Sequence, residues 1–94
     1  MATKVGNPRN VERVLTEALA DCLKKAGIDA EVSHEPVPHT KLRRFTVIAK
    51  KFKSMRPSER QDLVWRIAGQ VLEPDEQLLV SMILTLTSDE LAGE

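Results

Sequence analysis

The sequence predicts an α+β domain in the order α-β-β-α-β-α, with a three-stranded mixed sheet and helices packed on one face. Three observations predict it. An apolar stripe at helical spacing runs from Val11 to Ala26. Two strand-like stretches, Ile28 to His34 and Leu42 to Phe52, flank a loop with two prolines. A second helical stripe, Arg60 to Leu72, then leads into a near-continuous apolar run, Leu78 to Thr87. A short link between the first two strands implies an antiparallel hairpin. Strand, helix, strand implies a right-handed crossover and a parallel pairing.

The chain has 94 residues, enough for one modest core and one domain. Phe45, Phe52 and Trp65 are its only aromatic residues, so that core must be mainly aliphatic. The apolar runs are far too short to span a membrane. One cysteine, Cys22, excludes an intrachain disulfide and points to a reducing compartment. The first residues hold no apolar stretch of the kind a secretory signal needs, so a cytoplasmic location is expected.

Residues 1–8 read as a disordered tail, and 9–92 as the single domain. Asn7-Pro8 or Asn10 can start the first helix. Val11, Val14, Leu15, Ala18, Leu19, Cys22, Leu23 and Ala26 recur at steps of three and four, which makes one buried stripe. Lys24 and Lys25 suit the negative end of that helix, and Gly27 suits a left-handed cap.

Ile28, Ala30, Val32 and His34 alternate with Asp29, Glu31 and Ser33, a half-buried strand. Glu35 to Thr40 is expected to be loop, since Pro36 and Pro38 pair poorly. In the second strand Phe45, Val47 and Ala49 share one face, and Arg44, Thr46, Ile48 and Lys50 the other. Pro57 has no N–H to lose and a preset φ, so it suits the first turn of the second helix. Ser58 with Gln61 has the spacing of a capping box, an alternative start. Leu63, Val64, Ile67, Ala68, Val71 and Leu72 share a face with Arg60, while Trp65 lies off that stripe. Glu73-Pro74-Asp75-Glu76 ends the helix. The run from Leu78 to Thr87 reads as a strand covered on much of both faces. Ser88-Asp89-Glu90 caps a short final turn.

Net charge is zero, but its distribution is not even. Lys41 to Arg66 holds nine basic and two acidic residues; Ile67 to Glu94 holds six acidic residues and no basic one. Such asymmetry points to an anionic partner, or equally to an acidic tail lying across a basic strand.

At the strand-to-helix junction Phe52, Ser54, Arg60, Gln61 and Val64 stand at the spacing of a motif of the BolA family, which the chain resembles. These are small proteins of α-β-β-α-β-α order related to class II KH domains. The closing Thr87-Ser88-Asp89-Glu90-Leu91 is also similar to the family's end. The resemblance implies a non-enzymatic stress or morphogenesis regulator, tied to transcription regulation through nucleic acid. It also implies an alternative, an adaptor in iron–sulfur trafficking that shares a cluster with a monothiol glutaredoxin-like partner. The family usually carries a histidine near the start of the third strand. This chain has none after His39; Leu79 or Ser81 stands there, depending on register.

Three sets of residues are candidates for chemistry. Lys50, Lys51, Lys53 and Arg56 surround the strand-to-helix turn, and Arg60 follows on the helix; together they are the candidate nucleic-acid-binding residues. KH domains grip a backbone here with a Gly-x-x-Gly loop, whereas Lys53-Ser54-Met55-Arg56 has neither glycine. Binding should therefore be mostly electrostatic and salt-sensitive, with Trp65 the only candidate for base stacking. The bland alternatives are a solvated basic face that guards the sheet edge, or a face that docks an acidic protein. His34 and His39, near the hairpin loop, are candidate metal ligands only when a partner completes the site, and as ordinary strand and loop residues they need no such role. Cys22 reads as inert packing within its stripe. No phosphate-binding glycine loop, Cys-x-x-Cys or nucleophile–base pair is visible, so no enzyme activity and no cofactor of the isolated chain are expected.

Overall fold

The computed structural model describes residues 10–93. The expected tail at 1–8, and the alternative helix start at Asn7-Pro8, lie outside the described residues. The order is α1 (Val11–Lys25), β1 (Glu31–Pro36), β2 (Arg43–Ile48), a 3-10 helix (Lys50–Ser54), α2 (Pro57–Val71), α3 (Pro74–Gln77), β3 (Val80–Leu86) and α4 (Ser88–Leu91). The sheet order is β1-β2-β3, with β1 antiparallel and β3 parallel to the central β2. The architecture is thus α+β, a three-stranded mixed sheet with helices packed on it. Among the described residues no helix is long and apolar enough to cross a membrane.

The core forms where α1 and α2 meet the inward face of the sheet. Val11, Leu15, Leu19 and Leu23 repeat every four residues and are buried. They pack in one cluster with Phe45 and Val47 of β2, Val64 and Ile67 of α2, and Ile83 of β3. The Asn10 side chain accepts from the Arg13 N–H at 3.0 Å and so starts α1. At its other end the Gly27 N–H reaches the Lys24 carbonyl and the Ile28 N–H the Leu23 carbonyl. That double closure requires a left-handed residue, and Gly27 supplies φ +82°.

β1, β2, β3 and the segment after α2 differ from the sequence expectation, each for a local reason. β1 begins at Glu31 and runs on through Pro36, expected to be loop. Pro36 pairs opposite Arg43, but it is Val37 that donates to Leu42 across the ladder. The proline's missing N–H therefore faces the free edge, where no ladder bond is lost. The reversal itself is Val37-Pro38-His39-Thr40, with the Thr40 N–H bonded to the Val37 carbonyl.

β2 ends at Ile48, not Phe52. Continued extension would put Phe52 on the same face as Arg44 and Thr46, away from the helices. The 3-10 turn rotates it inward instead, and Phe52 is fully buried. The consequence for function is that Lys50, Lys51 and Lys53 ride on a tight helical turn, not on a strand.

α2 begins at Pro57, with Arg56 as the residue before it. The Ser58–Gln61 capping box does not form. Glu59 reaches back to the Arg56 N–H at 2.8 Å instead, and Gln61 is used elsewhere. The segment expected only to stop α2 builds a turn of its own, α3, in which the Glu76 carboxylate accepts from the Glu73 N–H.

β3 is shorter than the apolar run and is covered on one face only. Val80, Ile83 and Thr85 point inward, while Met82 and Leu84 are 43% and 37% exposed. It is an edge strand, not a doubly covered one. Its free edge is still occupied. The Leu86 carbonyl accepts from the Ala49 N–H. In a parallel ladder the carbonyls of Ile83 and Thr85 then face away from β2. Two side chains from α2 meet them: Gln61 donates to Ile83 at 2.7 Å and Arg60 to Thr85 at 3.1 Å. Gln61 in turn accepts from the Trp65 indole N–H at 3.2 Å. Trp65 is half-buried, so it offers a base only a partial stacking face.

Candidate nucleic-acid interface

The basic stretch divides into two kinds of cation. Arg43 pairs with Glu12 of α1 at 2.6 Å, and Arg44 pairs with Glu35 across the β1–β2 hairpin. Arg60 is only 5% exposed. Its guanidinium donates to the carbonyls of Met55 and Thr85 and to the Glu90 carboxylate at 2.8 Å, and it lies 5.6 Å from the centre of the Phe52 ring. These three arginines are paired within the molecule, Arg60 in the interior and Arg43 and Arg44 at the surface. Arg60 was expected on the binding surface. Its position on the apolar stripe of α2 takes it into the interior, where its Nε and Nη1 are engaged, so it is removed from the candidate interface.

The second kind includes Lys41 and Arg66, which are exposed and form no ion pair among the described residues, and the contiguous group Lys50, Lys51, Lys53 and Arg56. All four are exposed, and none forms an ion pair among the described residues. The tight turn that buries Phe52 projects its lysine neighbours outward. Arg56 stands where the chain enters α2, beside the N–H groups of a 15-residue helix. The first turn of that helix carries one acid, Glu59, which is already engaged with the Arg56 N–H. The result is a cluster of unpaired positive charge on one short segment, suited to phosphate by charge and by the helix dipole. The Ser54 hydroxyl is turned back to the Lys51 carbonyl at 3.0 Å, which rigidifies the segment.

Glu90 fixes the far side of this junction. Its carboxylate accepts from Arg60 and from the Thr87 N–H at 2.9 Å, while the Thr87 hydroxyl accepts from the Glu90 N–H. The Arg60 hydrogen bond first, and the Thr87 N–H second, hold the Glu90 carboxyl below the usual glutamate range.

Two clefts open at the carboxyl ends of β2 and β3. One, of about 380 Å³, lies between the entry to β1 and the exit of β2, and includes Asp29, Glu31 and Ile48. The other, of about 350 Å³, lies between the 3-10 helix and α4, and includes Lys53, Thr87 and Asp89. Lys50 and Ser88 line both. Of these residues only Lys50 and Lys53 were expected at a binding site. Thr87, Ser88 and Asp89 are marked in the sequence only as a helix cap and as part of the family-like end, and Asp29 and Glu31 only as polar strand positions; folding brings them together.

The candidate metal ligands sit apart from this region. His34 is on the edge strand β1, its ring centre 5.7 Å from that of Phe45. His39 occupies the reversal with φ 66°, at the place where a type II turn takes a positive φ. Leu79 is half-buried with its carbonyl bonded to the Arg43 N–H, and the Ser81 hydroxyl donates to the Arg43 carbonyl. Among the described residues no group of three or more His, Cys, Asp or Glu side chains is placed to hold a metal ion. Cys22 is half-buried against the core.

Comparison with protein-family models, with curated proteins and with solved structures yields no match for this chain.

Proposed function

We propose that this chain is a non-enzymatic binding module that contacts nucleic acid through Lys50, Lys51, Lys53 and Arg56. One observation carries the reading. These four exposed cations have no ion-pair partner among the described residues, whereas Arg43, Arg44 and Arg60 all do. A fold that neutralises three arginines and leaves a contiguous basic turn open presents charge outward. Phosphate contacts would supply most of the affinity, since the segment lacks a glycine for close backbone approach and lacks an exposed aromatic. The regulatory role that accompanies this reading rests on the BolA resemblance alone.

The test is an amide-resolved NMR titration with short mixed-sequence DNA and RNA at low and moderate salt. Shifts confined to Lys50 through Arg56 and fading with salt are expected, with a slope of log K against log salt of roughly −3 for four contacts on a single strand. The absence of shifts at low salt overturns the reading and leaves an acidic protein as the partner of this face.

A further inference from the structure

The parallel strands β2 and β3 finish side by side, at Ile48 and Leu86. From there the chain leaves in two directions, into the 3-10 helix and into α4. The carboxyl ends of parallel strands are where crevices for ligands arise in open sheets, because diverging connections leave a gap. Here the gap is the pair of clefts joined at Lys50 and Ser88.

The two halves have opposite chemistry. On one side Asp29 and Glu31 line the cleft with Ala30, Ile48 and the buried Ala49. On the other Lys50 and Lys53 line the cleft with Ser88 and with the buried Thr87, whose hydroxyl accepts from the Glu90 N–H. None of the four charged residues forms an ion pair among the described residues. A ligand that satisfies both halves needs an anionic end and a hydrogen-bond-donating end. The combined size is within the range of small-molecule sites.

We propose that the joined clefts form one nucleotide site, with Lys50, Lys53, Thr87 and Ser88 holding a phosphate and Asp29 and Glu31 accepting from the exocyclic amino group of a base. A carboxylate accepts well from a base amino group such as cytosine N4, and uracil has no such group to offer. The site therefore prefers amino-bearing bases. Asp89 borders the phosphate half and opposes it, so the site is weaker than two lysines alone would make it. The inference deepens the nucleic-acid reading by giving the basic turn a base-selective neighbour. The ligand chemistry is shared by a free mononucleotide and by one residue of a single strand.

The experiment is an NMR titration with CMP, with UMP and with inorganic phosphate, followed by short oligo-C and oligo-U. CMP is expected to shift Asp29 to Glu31 together with Lys50, Lys53 and Ser88. Its affinity should exceed that of UMP about tenfold, while phosphate alone moves only the lysine half. The Asp29→Ala, Glu31→Ala double variant should abolish the preference for CMP, and Lys53→Gln should weaken both nucleotides alike. Asp89→Asn should strengthen both. All these positions are exposed, and an unchanged amide spectrum elsewhere confirms folding of each variant. Equal binding of CMP and UMP, or no shift with either at 10 mM (a ceiling far above a working site's affinity, about 3 kcal/mol of binding), overturns the site. CMP binding without binding of the oligomers favours a free nucleotide and sinks the nucleic-acid reading alone. Salt-sensitive oligomer binding without CMP binding sinks this inference alone.

Discussion

Arg60 and the Lys50–Arg56 turn carry the same sign of charge on one stretch of chain, yet they are put to opposite uses. Arg60 is buried and spends its planar fork on two backbone carbonyls and a carboxylate. The lysines around Phe52 keep their ammonium groups in water. The chemistry of the two side chains explains the sorting: a guanidinium can bond several acceptors in a fixed plane with a low hydration cost, while an ammonium is a strongly hydrated point charge. Charge density along a sequence is therefore a poor map of charge on a surface. The helical period decides which cations turn inward, and the 3-10 turn decides which turn out.

The largest effect expected from breaking this comparison is on stability. Arg60→Ala leaves the Met55 and Thr85 carbonyls without their partner and removes the cation from over Phe52. The loss should be about 3 kcal/mol in urea denaturation, with a fall of roughly 10–20 °C in Tm. Arg60→Lys keeps the charge but cannot span the same acceptors, so it should recover less than half of that loss. A loss below about 0.5 kcal/mol for the alanine variant would place Arg60 among ordinary surface residues.

The reverse pattern is expected for the open cations. The Lys51→Glu, Lys53→Glu double variant should change stability by less than about 0.5 kcal/mol, because neither side chain has an ion-pair partner among the described residues. Its affinity for single-stranded nucleic acid at low salt should fall about a hundredfold or more, with a shallower salt slope. Fluorescence anisotropy at two salt concentrations reads both quantities. Unaltered affinity would mean that the contact surface lies elsewhere.

The order of elements was legible because period and punctuation agree along the chain: the stripe of α1, the alternation at Phe45 and Val47, and Gly27 as a stop. The errors fall where side-chain identity and orientation part company. Met82 and Leu84 are apolar but point away from the helices, so they masked the period-2 burial of β3. Phe52 continues a plausible strand in sequence, although its parity with Arg44 already places it on the wrong face for a core aromatic. Pro36 reads as a breaker, yet the edge of a sheet tolerates it. In the candidate interface the lysines were legible as a run of charge. Arg60 was misassigned because its charge outweighed its place on the stripe. Asp29, Lys50 and Ser88 meet only through the sheet, since β1 starts where β2 and β3 end, and local sequence holds no trace of that meeting.

The smallest expected effect sharpens the boundary between the two regions, because the Arg60–Glu90 pair straddles it: Arg60 is buried and the Glu90 side chain is 43% exposed. The Glu90 carboxyl is held below its ordinary value of 4.5, first by the Arg60 hydrogen bond and then by the Thr87 N–H. A carboxylate whose folded pKa is depressed stabilises the fold fully above the unfolded value and loses that contribution as pH falls through the folded one. The stability advantage of the wild-type chain over Glu90→Gln should therefore hold constant from neutral pH down to about 4.5 and shrink below it. The two proteins differ only at Glu90, so the difference in their response belongs to that group. Paired urea titrations of the two proteins between pH 7 and pH 3 measure the difference directly. An advantage that persists unchanged to the acid limit would show that Glu90 serves only as the cap of α4, with no electrostatic bond to the buried arginine. An advantage that shrinks only in the acid range would show that the buried cation is held by a group water can reach, and that α4 is fastened to α2 by a charge the solvent can switch off.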